Sequence, residues 1–319
     1  MMFRWPVLLL LVFLQLPLYA GAVRQKTVNR LKYCSLYDLM TGNGFRVTLQ
    51  SSAMTAVGRG YTCVFNRNAR RLTCNGVRVE LLNSMSFEGN MPWIATLDWF
   101  KTLRPLLYPG TVPKHPVRRI MIDMGHGGND SGARGAISQE KAITLRVGMR
   151  VAQILRTRGY QVDMTRTSDV YIPLDRIGPM QQRTNGDLFV SIHVNSAADR
   201  SVTGIETYCL TPAGAASSNG GAVSQTEHPG NRNDPANFLL AWHIQNALLR
   251  RTGAVDRGIK RARFAVLKNI NAPGVLVEIG FISNRAEERK LNDQEYIDKI
   301  ALGIVEGITG FAYVTRVRQ

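Results

Sequence analysis

The order of apolar and polar positions divides the chain near residue 110. Before it, short apolar runs at Arg46–Leu49, Tyr61–Phe65 and Arg78–Leu82 are separated by turn-rich segments containing Gly and Asn, the spacing of a small β-rich domain. Pro105, Pro109, Pro113 and Pro116 then crowd one stretch around Gly110. Each proline disfavours helix for itself and its predecessor, so residues 111–117 read as a linker between a 23–110 domain and a second one over 118–312.

From Val117 onward the period alternates. Arg119–Met124, Gln161–Thr165, Leu188–His193, Gly204–Leu210 and Gly274–Ile279 read as strands. Lys141–Arg158 carries Ile143, Val147, Val151, Ile154 and Leu155 at a helical period, and Phe238–Arg251 and Asp293–Ile308 read as further helices. Leu174–Thr184 is a weaker helix that Gly178-Pro179 should break. Strands alternating with helices predict a three-layer α/β domain with a mostly parallel twisted sheet, preceded by the small β-rich α+β domain. Residues 211–235, rich in Gly, Ser, Ala and Asn, read as one long loop.

The first residues change the picture of where this fold works. Met1–Arg4 is a short basic start, Pro6–Tyr19 is uncharged and mostly apolar, and Ala20-Gly21-Ala22 is the small-x-small pattern of a signal-peptidase site. Residues 1–22 therefore read as a signal peptide and the protein as exported, to the periplasm or the cell wall, with no stable membrane anchor once the signal is cut. The formal net charge of +17 suits a polyanionic partner and equally a merely soluble surface. No nucleic-acid motif accompanies the charge, so nucleic acid is set aside as a partner. The four cysteines form no C-x-x-C pair, but Cys63 and Cys74 flank the polar stretch Asn66–Arg71 and could face each other across a hairpin. Cys209 sits in an apolar run and reads as a small buried hydrophobe, and Cys34 has no obvious partner.

Three ionisable residues stand at or just past the carboxyl ends of predicted strands, the edge where open α/β sheets bind ligands: His126, His193 and Glu278. His126 lies in Gly125-His126-Gly127-Gly128-Asn129-Asp130-Ser131-Gly132, which lacks the spacing of a phosphate-binding loop. A strand histidine taken singly is more often a core or edge residue than a ligand; a second one on the same edge turns the reading towards a metal. Two imidazoles need a third protein ligand for a zinc site with one open position. Glu140, near the start of the following helix, is that ligand or simply an acid complementing the helix dipole, and spacing does not choose. Glu278 is a carboxylate in an apolar strand, either paired with Arg257, Lys260 or Arg263 or serving as a general base.

These residues sit in longer motifs. Ile122-Asp123-Met124-Gly125-His126-Gly127-Gly128, Glu140-Lys141, Phe189-Val190-Ser191-Ile192-His193-Val194-Asn195 and Val275-Leu276-Val277-Glu278-Ile279-Gly280-Phe281-Ile282-Ser283-Asn284 resemble, in order, the zinc N-acetylmuramoyl-L-alanine amidases. Thr165-Arg166, Asp256–Lys260 and Phe264–Leu267 extend the likeness. The resemblance implies one Zn2+ per chain held by His126, Glu140 and His193, Glu278 as the catalytic carboxylate, and peptidoglycan as substrate, with Asn195 and Arg166 as candidate substrate contacts and a protein activator as a further partner. Other zinc amide hydrolases and a non-catalytic wall-binding protein are the alternatives. The chain departs from the family pattern in having Ile177 after Arg176, in Gln181-Gln182, and in the length of residues 211–235. Residues 45–109, through Leu81-Leu82, Trp93-Ile94 and Leu103–Tyr108, resemble the small N-terminal domain of copper amine oxidases, with a wall-binding or a spacing role implied and no copper.

Overall fold

The computed structural model of the chain describes residues 23–67, 69–114 and 116–316; the signal-peptide reading falls outside them. The N-terminal part contributes β1 (Gln25–Val28), β2 (Leu31–Ser35), β3 (Arg46–Leu49), β4 (Ala53–Gly58), β5 (Tyr61–Asn66), β6 (Arg71–Cys74), β7 (Val77–Glu80), β8 (Ser86–Glu88) and β9 (Met91–Ala95). Its helices are α1 (Leu36–Gly42), α2 (Thr96–Asp98) and α3 (Arg104–Leu107), the last two joined by a π-helical turn at Trp99–Leu103. β3 to β7 form an antiparallel meander with short turns, as the Gly- and Asn-punctuated runs predict. Cys63 and Cys74 are cross-strand partners in it, with their sulfurs facing each other across the hairpin. Cys209 is fully buried, as a small hydrophobe should be.

The second part contains β10 (Arg119–Met124), β11 (Gln161–Met164), β12 (Leu188–Asn195), β13 (Ile205–Leu210), β14 (Ala215–Ser217), β15 (Gly220–Ser224), β16 (Asp256–Ala262) and β17 (Gly274–Phe281). Its helices are α4 (Glu140–Thr157), α5 (Leu174–Thr184), α6 (Asp234–Thr252), α7 (Ala265–Lys268), α8 (Arg285–Leu291) and α9 (Gln294–Thr315). β11, β10, β12 and β17 are parallel, and β13 joins β17 antiparallel before pairing with β16. β16 then pairs with β7, so the N-terminal meander continues the same sheet to eleven strands.

Alternation along the central strands sets the layers. Ile120, Ile122, Val190, Ile192, Val275 and Val277 face one core with residues of α4, α6 and α9; Met121, Phe189 and Leu276 face another with Ile177 and Val266. Towards the carboxyl edge the second face turns polar, through Asp123, Ser191, His193 and Glu278. Two predictions need correction. Pro179 does not break α5: both Pro179 and Asp175, whose carbonyl it leaves without an amide partner, lie on the exposed side of the helix. Residues 211–235 are not structureless: β14 and β15 pair, with Gly220 and Gly221 at φ +101° and +97° supplying backbone shapes that composition does not announce.

Candidate metal centre

β10 ends at Met124 and the chain turns sharply into the Gly-rich loop. His126 adopts φ +64°, a left-handed conformation uncommon for a residue with a side chain. Its loop is closed by paired backbone bonds between Gly127 and Asp130, and Asp130 Oδ2 lies 2.8 Å from His126 Nδ1. That contact fixes the ring and leaves Nε2 turned to Glu140 Oε2, 3.3 Å away. Arg166 is buried beneath, donating to the carbonyls of Met124, Gly125, Lys141 and Ser168 and to Thr144 Oγ1. Its guanidinium therefore holds the loop against α4.

Glu140 is the first residue of α4 and is buried, with both carboxylate oxygens in use. Oε1 accepts from Val194 N at 2.9 Å and lies 2.9 Å from His193 Nδ1. Oε2 accepts from Ala133 N at 2.8 Å. Burial works against its charge, but the two imidazoles outweigh burial and hold the carboxyl well below the usual range. Burial likewise opposes a charged His126, yet Glu140 and Asp130 push its pKa up to about 9. His193 is raised in the same way, burial being outweighed by Glu140 and Glu278. The ligand atoms of His126, Glu140 and His193 all lie within 4.8 Å of one another, and the two imidazole rings are 5.0 Å apart at 82°. Glycine makes this approach possible: a Cβ on Gly125 would sit 2.3 Å from the His193 ring, and one on Gly132 2.5 Å from Glu140 Oε2.

Glu278 lies beside His193 in the β12–β17 register and opposite Glu206 in the β13–β17 register. Its Oε2 is buried with no hydrogen-bond partner. Arg257 and Lys260, which sequence offers as ion-pair partners, go to Glu206 instead, and Arg263 bonds Ser217 Oγ and the carbonyls of Pro212 and Ala215. Burial pushes the Glu278 carboxyl up to about 8. Asn195 donates its side-chain amide to Glu206 Oε1 at 2.8 Å.

A model of the N-acetylmuramoyl-L-alanine amidases matches residues 120–310, the region that contains all four residues. The chain belongs to this family. AmiA of Salmonella typhimurium is 32% identical over 256 residues, covering 72% of this chain and 88% of that protein. AmiC of Escherichia coli O6:H1 is 32% identical over 228 residues, covering 64% of this chain, which spans 55% of AmiC's length. The CwlD amidase from Clostridioides difficile, solved in complex with the GerS lipoprotein, superposes with a TM-score of 0.54 at 26% identity over 62% of this chain and 99% of CwlD.

Two carboxylates of this amidase site escaped the sequence reading. Asp130 reads in the sequence only as part of a Gly-rich loop, although an acid four residues after a loop histidine is placed to orient it. Glu206 is the one charged residue in Ile205–Leu210, the same signal that marked Glu278. Asp123 is likewise buried in β10, accepting from Ser191 Oγ at 2.6 Å and Thr165 Oγ1 at 2.9 Å.

Proposed function

We propose that this amidase hydrolyses the amide joining the lactyl group of N-acetylmuramic acid to L-alanine in peptidoglycan, outside the cytoplasm, in cell-wall remodelling or daughter-cell separation. The observation that carries the reading is a half-buried carboxylate, Glu278, whose Oε2 is buried without a hydrogen-bond partner, adjacent in register to a cluster of two imidazoles and a carboxylate. That donor set fits zinc, whose catalytic sites use three nitrogen or oxygen ligands and keep a position open. Zinc held by His126, Glu140 and His193 supplies Lewis acidity towards water and towards a carbonyl oxygen.

The chain's own groups do the rest. Asp130 fixes the His126 ring through Nδ1, and backbone amides of Ala133 and Val194 anchor both oxygens of Glu140. Glu278 takes a proton from the attacking water as oxygen bonds to the lactyl carbonyl carbon. When the carbon–nitrogen bond breaks, the same carboxyl delivers that proton to the departing amine of L-alanine. A carboxyl pushed to about 8 by burial can both accept and give a proton near neutrality. The products are a free stem peptide and unpeptidated glycan.

Digestion of purified sacculi followed by mass analysis, with and without a chelator, tests the proposal. It expects release of stem peptides with a free L-alanine amine, abolished by chelation and restored by zinc. Cleavage at another acyl bond, or binding without turnover, would sink it. Among the described residues no helix is long and apolar enough to cross a membrane. The CwlD complex supports a protein partner as a second element of the reading.

A further inference from the structure

A polar cavity of about 290 Å3 is walled by segments that continue from the metal-ligand cluster. Three stretches of chain that build the catalytic site continue into its walls. Ala133, which donates to Glu140, is followed by Arg134. Val194, the other donor to Glu140, leads to Ser196, and β17, which carries Glu278, leads to Ser283 and Arg285. Arg200 completes the lining.

Arg134, Arg200 and Arg285 have no ion-pair partner among the described residues. The wall holds one carboxylate, Glu288, against these three guanidinium groups, so an excess of positive charge remains. Glu288 is turned to the amides of Ala136, Ile137 and Ser138 and to Ser138 Oγ, and forms no ion pair with the arginines. The space in front of the two imidazoles differs. His126 and His193 line a smaller cavity of about 120 Å3 together with Asp123, Asp130, Tyr171, Leu174 and Val266, and with no lysine or arginine. One cavity is thus cationic, while the other offers only carboxylates besides its two imidazoles.

We infer that the arginine-lined cavity is the carboxylate-binding subsite for the peptide half of the substrate, with Arg200 and Arg285 its principal anion contacts. The inference rests on the amidase reading and adds an orientation to it. Muramic acid's one carboxyl is consumed in the scissile amide, so the glycan half of a muropeptide carries no anion there. Every carboxylate that guanidinium groups could grip is on the peptide side. The glycan half then lies towards Tyr171 and Leu174, and the peptide leaves past Arg285.

Kinetics on two substrates test this: muramidase-released muropeptides, and the same muropeptides with their carboxylates converted to amides. The protein as it stands should favour the carboxylate form in kcat/KM by about tenfold or more, the scale of a lost charge-assisted contact. The double variant Arg200→Gln/Arg285→Gln should lose that preference by weakening only the carboxylate substrate, and Arg200→Lys/Arg285→Lys should recover part of it. Lys32→Gln, in β2, should change neither rate. Equal turnover of both substrates by the unmodified protein, or equal loss on both in the double variant, would overturn the subsite. Glu278→Gln separates the two readings: turnover surviving in that variant would overturn the amidase mechanism itself, whatever the arginine variants do.

Discussion

Glu206 and Glu278 are cross-strand partners on β13 and β17, yet only Glu206 is supplied with donors. Arg257, Lys260, Tyr208 Oη and Asn195 Nδ2 all converge on Glu206. Glu278 Oε2 is left buried and bare. A buried carboxylate oxygen without a donor is costly, and two neighbouring acids with such different surroundings mark a division of labour. Glu206 absorbs the nearby cations and so keeps them from pairing with Glu278.

Glu278→Gln should therefore lower kcat by roughly 10²- to 10⁴-fold, the range for a lost general acid–base group, while bound zinc stays stoichiometric. Glu206→Gln should act differently. It frees Arg257 and Lys260 to approach Glu278, so activity falls through loss of the carboxyl's proton affinity, and the acidic limb of the pH–rate profile moves to lower pH. Paired rate profiles and metal analysis check both outcomes. A Glu278→Gln enzyme of normal rate removes the mechanism.

Asp130 touches His126 Nδ1 and is not itself a member of the metal cluster. Its role is to hold one tautomer and one ring orientation. Asp130→Ala should weaken zinc affinity by about 10- to 100-fold, the cost typical of removing an outer partner of a metal histidine. Competition with a calibrated chelator measures it. Activity at saturating zinc should recover most of the loss, which distinguishes a lost orienting contact from a collapsed site.

Gly125 gives a steric test of the same centre. Because a Cβ there would meet the His193 ring at 2.3 Å, Gly125→Ala must displace either the imidazole or the end of β10. Zinc content and activity should both fall sharply. The far-ultraviolet circular dichroism should stay near normal, since strand pairing on either side does not involve the missing hydrogen. Retention of full metal occupancy would contradict the geometry.

Much of this site was legible from residue pattern. His126 and Glu278 follow or interrupt apolar strand runs, and a polar residue there must be explained by chemistry or by a partner. His193 needed the second histidine before its reading changed. Glu140 was not legible from spacing, because a first-turn acid has an ordinary helical explanation; the family resemblance proposed it, and its two oxygens face the imidazoles and the amides of Val194 and Ala133. Arg166, a candidate substrate contact in the sequence, has bonds to Met124 O, Gly125 O, Lys141 O, Thr144 Oγ1 and Ser168 O, a tie between loop and helix that only three-dimensional packing reveals. The extensions of β12 to Asn195 and of β17 to Phe281 were hidden because polar residues within them end the apolar run without ending the ladder.

Asp98, away from the metal centre, links stability to pH. It is fully buried, and burial pushes its pKa up to about 6 despite bonds from Leu82 N, Asn83 N and Asn83 Nδ2. A carboxyl raised on folding is protonated more readily in the native state, so its contribution is greatest at acid pH and declines as pH rises from about 4 through 6. Relative to Asp98→Asn, which does not titrate, the unmodified protein should lose about 2–3 kcal/mol of unfolding free energy over that window. Urea titrations of both proteins at pH 4 and pH 7 read the difference. A constant difference, or one of opposite sign, refutes the assignment.

The N-terminal meander is bound to the amidase domain through the sheet itself, and this sets the last expectation. β7 pairs with β16, Arg78 N donates to Asp256 Oδ2 at 2.6 Å, and the segment from Trp99 to Leu107 packs on α6. Arg261, on β16, is fully buried and reaches across to Lys101 O and Thr102 Oγ1 as well as to Leu210 O. Removing residues 23–110 would therefore expose a sheet edge and leave a buried guanidinium short of acceptors. Arg261→Ala in the whole protein should cost about 2–4 kcal/mol by orphaning those carbonyls and opening a cavity. The truncated protein should aggregate at concentrations where the whole one stays monodisperse, as light scattering would show. Changing Arg261 to Leu in the truncated form should relieve part of that defect, because the unpaired charge is then gone. If truncation leaves stability and solubility unchanged, the continuous sheet is a juxtaposition of two independent domains and not a shared structural unit.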